Sequence, residues 1–236
     1  MHSPAAFILG LTLAAGLVGG GFVLGQSALS YREYERTVTV KGLSEREFPA
    51  DIVIWPIRFT AADNDLAALY GSLEADAAAI REFLVARGIV AGAITASAPA
   101  VTDKLAQQYG GNERFEYRYV GVQTVTVYSD AVDTVRAVMV ELVELGKQGI
   151  ALVGENYETQ PEYLFTRLNE VKPAMIEEAT REARTVAEKF ADDSASRLGK
   201  IRQASQGQFS ISGRDKNNEH IKKVRVVSTI EYYLSD

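Results

Sequence analysis

Hydrophobic and polar positions divide the chain into two unequal parts. Residues 3–31, SPAAFILGLTLAAGLVGGGFVLGQSALSY, carry no charge, and the apolar run Phe7–Leu24 covers 18 residues. Wound as a helix, that run spans roughly 27 Å at 1.5 Å per residue, close to the hydrocarbon thickness of a bilayer. The pattern predicts one N-terminal transmembrane helix within residues 1–30, an anchor or a signal sequence, with lipid contact through residues 7–24. Beyond Tyr34 the period shifts between two and 3.6, and a folded region over residues 31–236 is expected.

In that region TVTVKGL and DIVIWPIRF alternate as strands, with Val38 and Val40, then Ile52 and Ile54, at every second position. The charged stretch around Gly42–Arg46 is expected as a turn, with Pro49 and Asp51 marking its far end. Pro56 has no N–H to give a ladder and predicts a sheet edge or bulge there. Asp63-Asn64-Asp65 caps a helix that runs to about Arg87 on Leu66, Leu69, Leu73, Ala77, Ile80 and Leu84, and Gly88 stops it. Residues 93–103 read as a strand, and FEYRYVGVQTVTVYS alternates at Val120, Val122, Thr124, Thr126 and Tyr128. A second helix is expected from Asp130 to Leu145, ended by Gly146, and a strand from Ile150 to Glu158. The longest helix is placed at Lys172–Leu198, with Pro173 in its first turn and Met175, Ala179, Ala183, Val186, Phe190 and Leu198 near one stripe. Its opposite face offers the i,i+4 pairs Glu177/Arg181 and Asp193/Arg197. KIRQASQGQFSIS and KKVRVVSTIEYYL close the chain as strands. Three main helices among strand pairs predict an α+β fold with antiparallel sheets.

Composition narrows the chemistry. The 236 residues are 47% hydrophobic and 24% charged, with a net charge of −6. Such a balance, with no basic run longer than Lys222-Lys223, argues against nucleic acid as a partner. Cysteine is absent, which removes disulfides, thiolate catalysis and cysteine-ligated metals. His2 and His220 are the only histidines, too few for a multi-histidine metal site. No cofactor and no metal site are expected.

The apolar segment has its own detail. A cleaved signal peptide wants a basic n-region and a small-x-small cleavage site; here no Lys or Arg precedes the helix, and Gly25-Gln26-Ser27 is a poor site. An uncleaved anchor is therefore favoured over a cleaved signal. Gly16, Gly20, Gly21 and Gly25 form small-xxx-small spacings that permit close helix packing, although glycine is common in such segments in any case. Tyr31 and Tyr34 fall where an interfacial aromatic belt would lie. Arg32 and Arg36 are offset by Glu33 and Glu35, so charge alone does not orient the span.

Gly42-Leu43-Ser44-Glu45-Arg46 has the opening spacing of a nucleophile elbow. Arg46 stands where the second glycine belongs, the segment feeds a strand rather than a helix, and the one later histidine, His220, sits in the polar loop GRDKNNEH as a solvated side chain. Glu45/Glu47, Asp63/Asp65 and Asp192/Asp193 each have a structural use as turn, cap or solvated face. Trp55 reads as a buried strand aromatic. RFEYRY, residues 114–119, is the best place for a Tyr/Arg cleft, but alternation sets Arg114, Glu116 and Arg118 on one solvated face. No catalytic residue is expected, and the chain is read as not an enzyme.

Taken together, VTVKGLSEREFPADIVIWPI, FTRLNEVKPAMIEEATREARTVAEKFADDS, LGKIRQASQGQFSI and KKVRVVSTIEYYL resemble the SIMPL-domain family, specifically its bacterial periplasmic immunogenic-protein type, over about residues 36–236. The resemblance implies an envelope protein with an α+β fold in strand–strand–helix units, with a smaller inserted subdomain around residues 60–145, whose relatives include large homo-oligomers and proteins linked to oxidative-stress tolerance. It carries over no catalytic residue. It implies that the C-terminal domain lies in the periplasm. The anchor with its close-packing spacing, the patterned folded region and the lack of a chemical constellation then lead to the expectation of a single-pass inner-membrane protein acting by assembly with itself or with another membrane complex. The terminal strand KKVRVVSTIEYYL is a candidate for β-augmentation. The alternative is a periplasmic small-molecule binder or enzyme with a carboxylate/Tyr/Arg cleft.

Overall fold

A computed structural model describes residues 4–33, 36–106, 115–154, 156 and 158–235. The uncharged N-terminal run forms helix α1, Pro4–Glu33, and its window Gly10–Ser27 is long and apolar enough to cross a membrane, with none of that window buried. The rest of the chain is α+β with antiparallel sheets, as the alternation predicts. The protein divides into two compact units, one comprising residues 1–46, 169–210 and 224–236, the other residues 47–168 and 211–223.

The second unit is built on a central antiparallel pair, β2 (Ile52–Asp63) and β5 (Tyr119–Ser129), in unbroken register from Val53 opposite Ser129 to Asp63 opposite Tyr119. Two short strands, β3 (Ile94–Ala96) and β4 (Ala100–Asp103), succeed one another along the outer side of β5. Two more, β6 (Ala151–Leu152) and β7 (Glu162–Leu164), do the same along β2. Pro56 stands mid-strand, in the interval between the residues that β7 and β6 engage, where a missing N–H costs no ladder bond. Val53, Trp55, Ile57 and Phe59 of β2 and Val125 and Val127 of β5 face inward. Against them pack α2 (Leu66–Ala86), α3 (Val132–Val140) and α4 (Val143–Lys147). Asp65 caps α2 by accepting the Ala68 N–H at 2.9 Å, and Gly88 takes the left-handed φ of +90° after its end.

Three expectations change in this unit. The helix expected over 130–145 is two, because Glu141, Leu142, Glu144 and Leu145 each bond the carbonyl three residues back and tighten the path. Its run of β-branched valines is a weak helix former. The strand at 93–103 is interrupted at Pro99, which cannot donate to β5. The strand at 150–158 stops after Leu152, where the Thr159 hydroxyl and Asn156 exchange local bonds that replace a ladder.

The first unit has a sheet of three positions. β10 (Ile221–Ser235) is central, β1 (Thr37–Pro49) lies on one side, and β8 (Arg197–Gln206) continued by β9 (Ser210–Gly213) lies on the other. The Gly42–Arg46 stretch is therefore inside a strand and not a turn; the reversal comes after Pro49. The terminal strand, expected as an augmentation edge, is paired on both sides, so the edges are β1 and β8. Helix α5 (Leu168–Asp193) covers one face through Met175, Ala179, Ala183, Ala187 and Ala191, all buried. The helix begins a turn earlier than expected and holds Pro173 inside it. It also ends earlier, on a reversed turn at Ala195 (φ 53°), where the Ser196 N–H reaches the Ala191 carbonyl at 2.8 Å. Leu198 thus belongs to β8, and Val186 and Phe190, expected on the buried stripe, are exposed.

Candidate functional site

Ser44 is buried on the inner face of β1, 1% exposed, because Val40, Gly42 and Ser44 alternate toward α5. Its hydroxyl donates to Glu178 Oε2 at 2.8 Å, and Arg46 Nε donates to the same oxygen at 2.9 Å. The Ser44 hydroxyl and then Arg46 hold the Glu178 carboxyl below the usual range. A carboxylate so stabilised is a poor proton acceptor, so the arrangement ties β1 to α5 and does not activate Ser44 as a nucleophile.

Beside this closed tie lies an open one. The inner-face residues of β10, Val224, Val226, Ser228, Ile230 and Tyr232, are all buried. Their neighbours on β8 are Gln206, Ala204, Ile201 and Leu198, in register with Ser228, Ile230, Tyr232 and Leu234. Nearly the whole of β8 is exposed, Ile201 to 49%. A cleft of about 190 Å³ runs between Ile176 and Thr180 of α5 and Ile201 and Ala204 of β8. At its inner end sits the Ser228 Oγ, buried and without a hydrogen-bond partner among the described residues. The cause is helix placement: α5 approaches β1 so closely that Gly42 meets its backbone directly, which leaves the β8 side of the sheet uncovered.

The second unit carries a groove with two lobes. One, of about 570 Å³, is floored by Ile54 and Pro56 and bordered by Glu158, Glu162, Glu219 and Lys222. The other, of about 320 Å³, is bordered by Arg136, Met139, Lys216 and His220. Gln160, Pro161, Tyr163 and Glu219 line both. His220, expected as a solvated side chain, is half-buried edge-on to the Tyr163 ring with centroids 6.0 Å apart. Burial and then Arg136 push its imidazole below its ordinary value, while Asp133 opposes them; it is neutral at pH 7. Burial pushes the Tyr163 phenol up, with Arg136 opposing, so it stays a donor.

The sequence-predicted positions are not brought together. Gly16, Gly20, Gly21 and Gly25 line α1 with nothing within 4 Å of where a Cβ would stand. Tyr31 lies in the last turn of α1, and Tyr34 and Arg114 fall outside the described residues. Arg118 pairs with Asp103 at 2.8 Å and leans over Tyr119; it and Glu116 are exposed, but so are Phe115 and Tyr117, because residues 115–118 precede β5 and do not alternate as a strand. Among the described residues no group of three or more carboxylates or histidines could hold a metal ion. Neither the bare strand nor the groove has a local signal, since each is assembled from segments far apart in sequence.

The family model for SIMPL, described as a protein of unknown function (DUF541), matches residues 38–227. No curated protein matches the chain.

Proposed function

The chain belongs to the SIMPL family, and from that premise we propose that it is a non-enzymatic, membrane-anchored periplasmic subunit that works by assembly. The observation that carries this reading is β8, an edge strand bare on both faces beside an unfilled cleft. An exposed edge is a template for strand addition, and the Ile201 side offers apolar area that only a partner would remove from water.

Charge argues for the mode. β8 carries Arg197, Lys200 and Arg202 and no acid, so two copies of β8 laid antiparallel would oppose like charges. β1, the opposite edge, carries Glu45 and Glu47 among its cations. Head-to-tail addition of β8 to the β1 of a second copy avoids that repulsion, and heterologous contacts of this kind close into rings where the rotation permits. A partner subunit of another inner-membrane complex is the other occupant that the anchor allows.

The test is the native mass of full-length protein extracted gently from its own membranes, with the composition of the proteins that travel with it. We expect a particle of many copies that Ile201→Asp reduces to single chains without loss of circular-dichroism signal. A heteromeric particle sensitive to the same substitution makes the protein an accessory subunit. Strictly monomeric full-length protein, unchanged by Ile201→Asp, overturns the reading.

A further inference from the structure

The two-lobed groove of the second unit is separate from β8 and has a charge distribution of its own. The larger lobe is bordered by three carboxylates, Glu158, Glu162 and Glu219, and one ammonium, Lys222. Two of these acids are engaged: Glu158 pairs with Arg58, and Glu219 lies 3.5 Å from Lys222 Nζ. Glu162 has no partner among the described residues, so this lobe presents a net negative wall over the apolar floor of Ile54 and Pro56.

The smaller lobe has the opposite sign. Arg136 and Lys216 border it, with Glu219 drawn toward Lys222 on the far side. The only ion partner of Arg136 among the described residues is Asp133, at 3.7 Å, whose side chain is almost fully exposed; such a pair holds a guanidinium weakly. Lys216 has no ion-pair partner among the described residues. His220 and the Tyr163 hydroxyl, which donates to Met139 Sδ at 3.8 Å, border the same lobe beside Arg136. Both lobes fall in the size range of small-molecule sites, about 300–1,000 Å³, and the Tyr163 and Pro161 surfaces join them.

A groove negative at one end, positive at the other and apolar between suits a ligand with the reverse polarity. We propose that this groove binds a short peptide by its free ends, the ammonium at Glu162 in the larger lobe and the carboxylate at Arg136 and Lys216 in the smaller. A guanidinium paired with a carboxylate is among the stronger and more directional polar contacts, so Arg136 supplies most of the end-recognition. Tyr163 and Pro161 take the intervening backbone and side chains without demanding a particular sequence.

Peptide binding does not depend on assembly and is tested apart from it. Full-length protein in detergent is titrated calorimetrically with trialanine, with N-acetyl-trialanine and with trialanine amide, which differ only at their ends. Trialanine is expected to bind saturably and each capped form about tenfold more weakly or worse, the effect of removing one charged hydrogen bond. Arg136→Gln should bind the free acid and the amide equally while still discriminating at the amino end. Glu162→Gln should do the reverse, and neither should change the native mass. Binding that ignores both caps, discrimination that survives both substitutions, or no heat up to about 10 mM peptide overturns the proposal.

Discussion

The two units place a helix on an antiparallel sheet in opposite ways. In the second unit α2 stands off on large side chains, with Leu69, Leu73, Ile80, Phe83 and Leu84 filling the space to β2 and β5, and α3 and α4 complete the cover. In the first unit α5 lies close on alanines every fourth residue, and among the described residues no second helix covers β8. A helix on large side chains buries more area per residue and has some slack, because side chains can shift. A helix on alanines has none, since backbone meets backbone. The first unit is therefore predicted to be the more brittle, although its core is the smaller.

Two glycines test that difference directly. A Cβ added at Gly42 would overlap the Ala179 carbonyl and stand 2.5 Å from the Ala183 nitrogen, both backbone atoms of α5. At Gly121 it would meet the Leu73 Cδ1 at 2.5 Å, the end of a flexible side chain. Gly42→Ala is expected to cost about 3 kcal/mol or more, at the upper end of overpacking effects, and Gly121→Ala about 1 kcal/mol. Hydrogen exchange read separately on α5 and α2 gives both values. Equal costs would remove the distinction.

The next effect belongs to the second unit. Leu73→Ala is expected to destabilise it by about 3 kcal/mol, through lost transfer energy and the cavity left among Leu69, Ile80 and the sheet. The same substitution removes the obstacle to Gly121→Ala, so the double variant should be more stable than the sum of the two single losses. Denaturant unfolding of the four-member cycle checks the coupling.

Legibility in the sequence divides along the same line. α2 announced itself because its large apolar residues recur at helical spacing between the Asp65 cap and the Gly88 stop. α5 was found, and Met175, Ala179 and Ala183 were placed on its buried stripe, but the second half of that stripe was misjudged: Val186 and Phe190 are exposed, and Ala187 and Ala191 pack in their place. Its end was placed at Leu198, since the reversed turn falls on Ala195 and not on the glycine that normally marks it. The terminal strand was expected to be open to strand addition, yet β10 is paired on both sides and Lys222 is only 9% exposed. The groove was out of reach of local reading, because Ile54, Arg136, Tyr163 and Glu219 meet only through the topology.

A smaller effect contrasts the two units through pH. In the second unit burial pushes the Asp51 carboxyl up, but the Thr166 N–H and hydroxyl, at 2.9 and 3.0 Å, and Arg167 bring it below its ordinary value. A depressed carboxyl contributes stability above its unfolded pKa, about 3.9, and loses it as pH falls through the folded value. Asp51→Asn should therefore cost about 1–2 kcal/mol at pH 7 and flatten the loss of stability between about pH 5 and pH 2. Glu178 in the first unit is depressed in the same direction, by Ser44 and then Arg46, but its side chain is 29% exposed against 16% for Asp51. Its contribution should fade with added salt, whereas that of Asp51 should persist. Acid titration of each variant at low and high salt separates them.

The smallest effect has the opposite sign and tests what the uncovered strand is for. Ser228 lies on the central strand, 4% exposed, with its hydroxyl unpartnered among the described residues at the end of the cleft. A buried hydroxyl without a partner has given up water and gained nothing, so removing it should help the isolated chain. Ser228→Ala is expected to stabilise a monomeric, Ile201→Asp background by up to about 1 kcal/mol. In the wild-type background, if a second copy covers β8 and reaches the hydroxyl, the same substitution should instead weaken the particle. The two measurements, thermal unfolding of the monomer and native mass on dilution, therefore move in opposite directions where the first unit is completed by its neighbour. A gain of stability in both would mean that Ser228 is only a flaw in a small core and that β8 takes its partner elsewhere along its length.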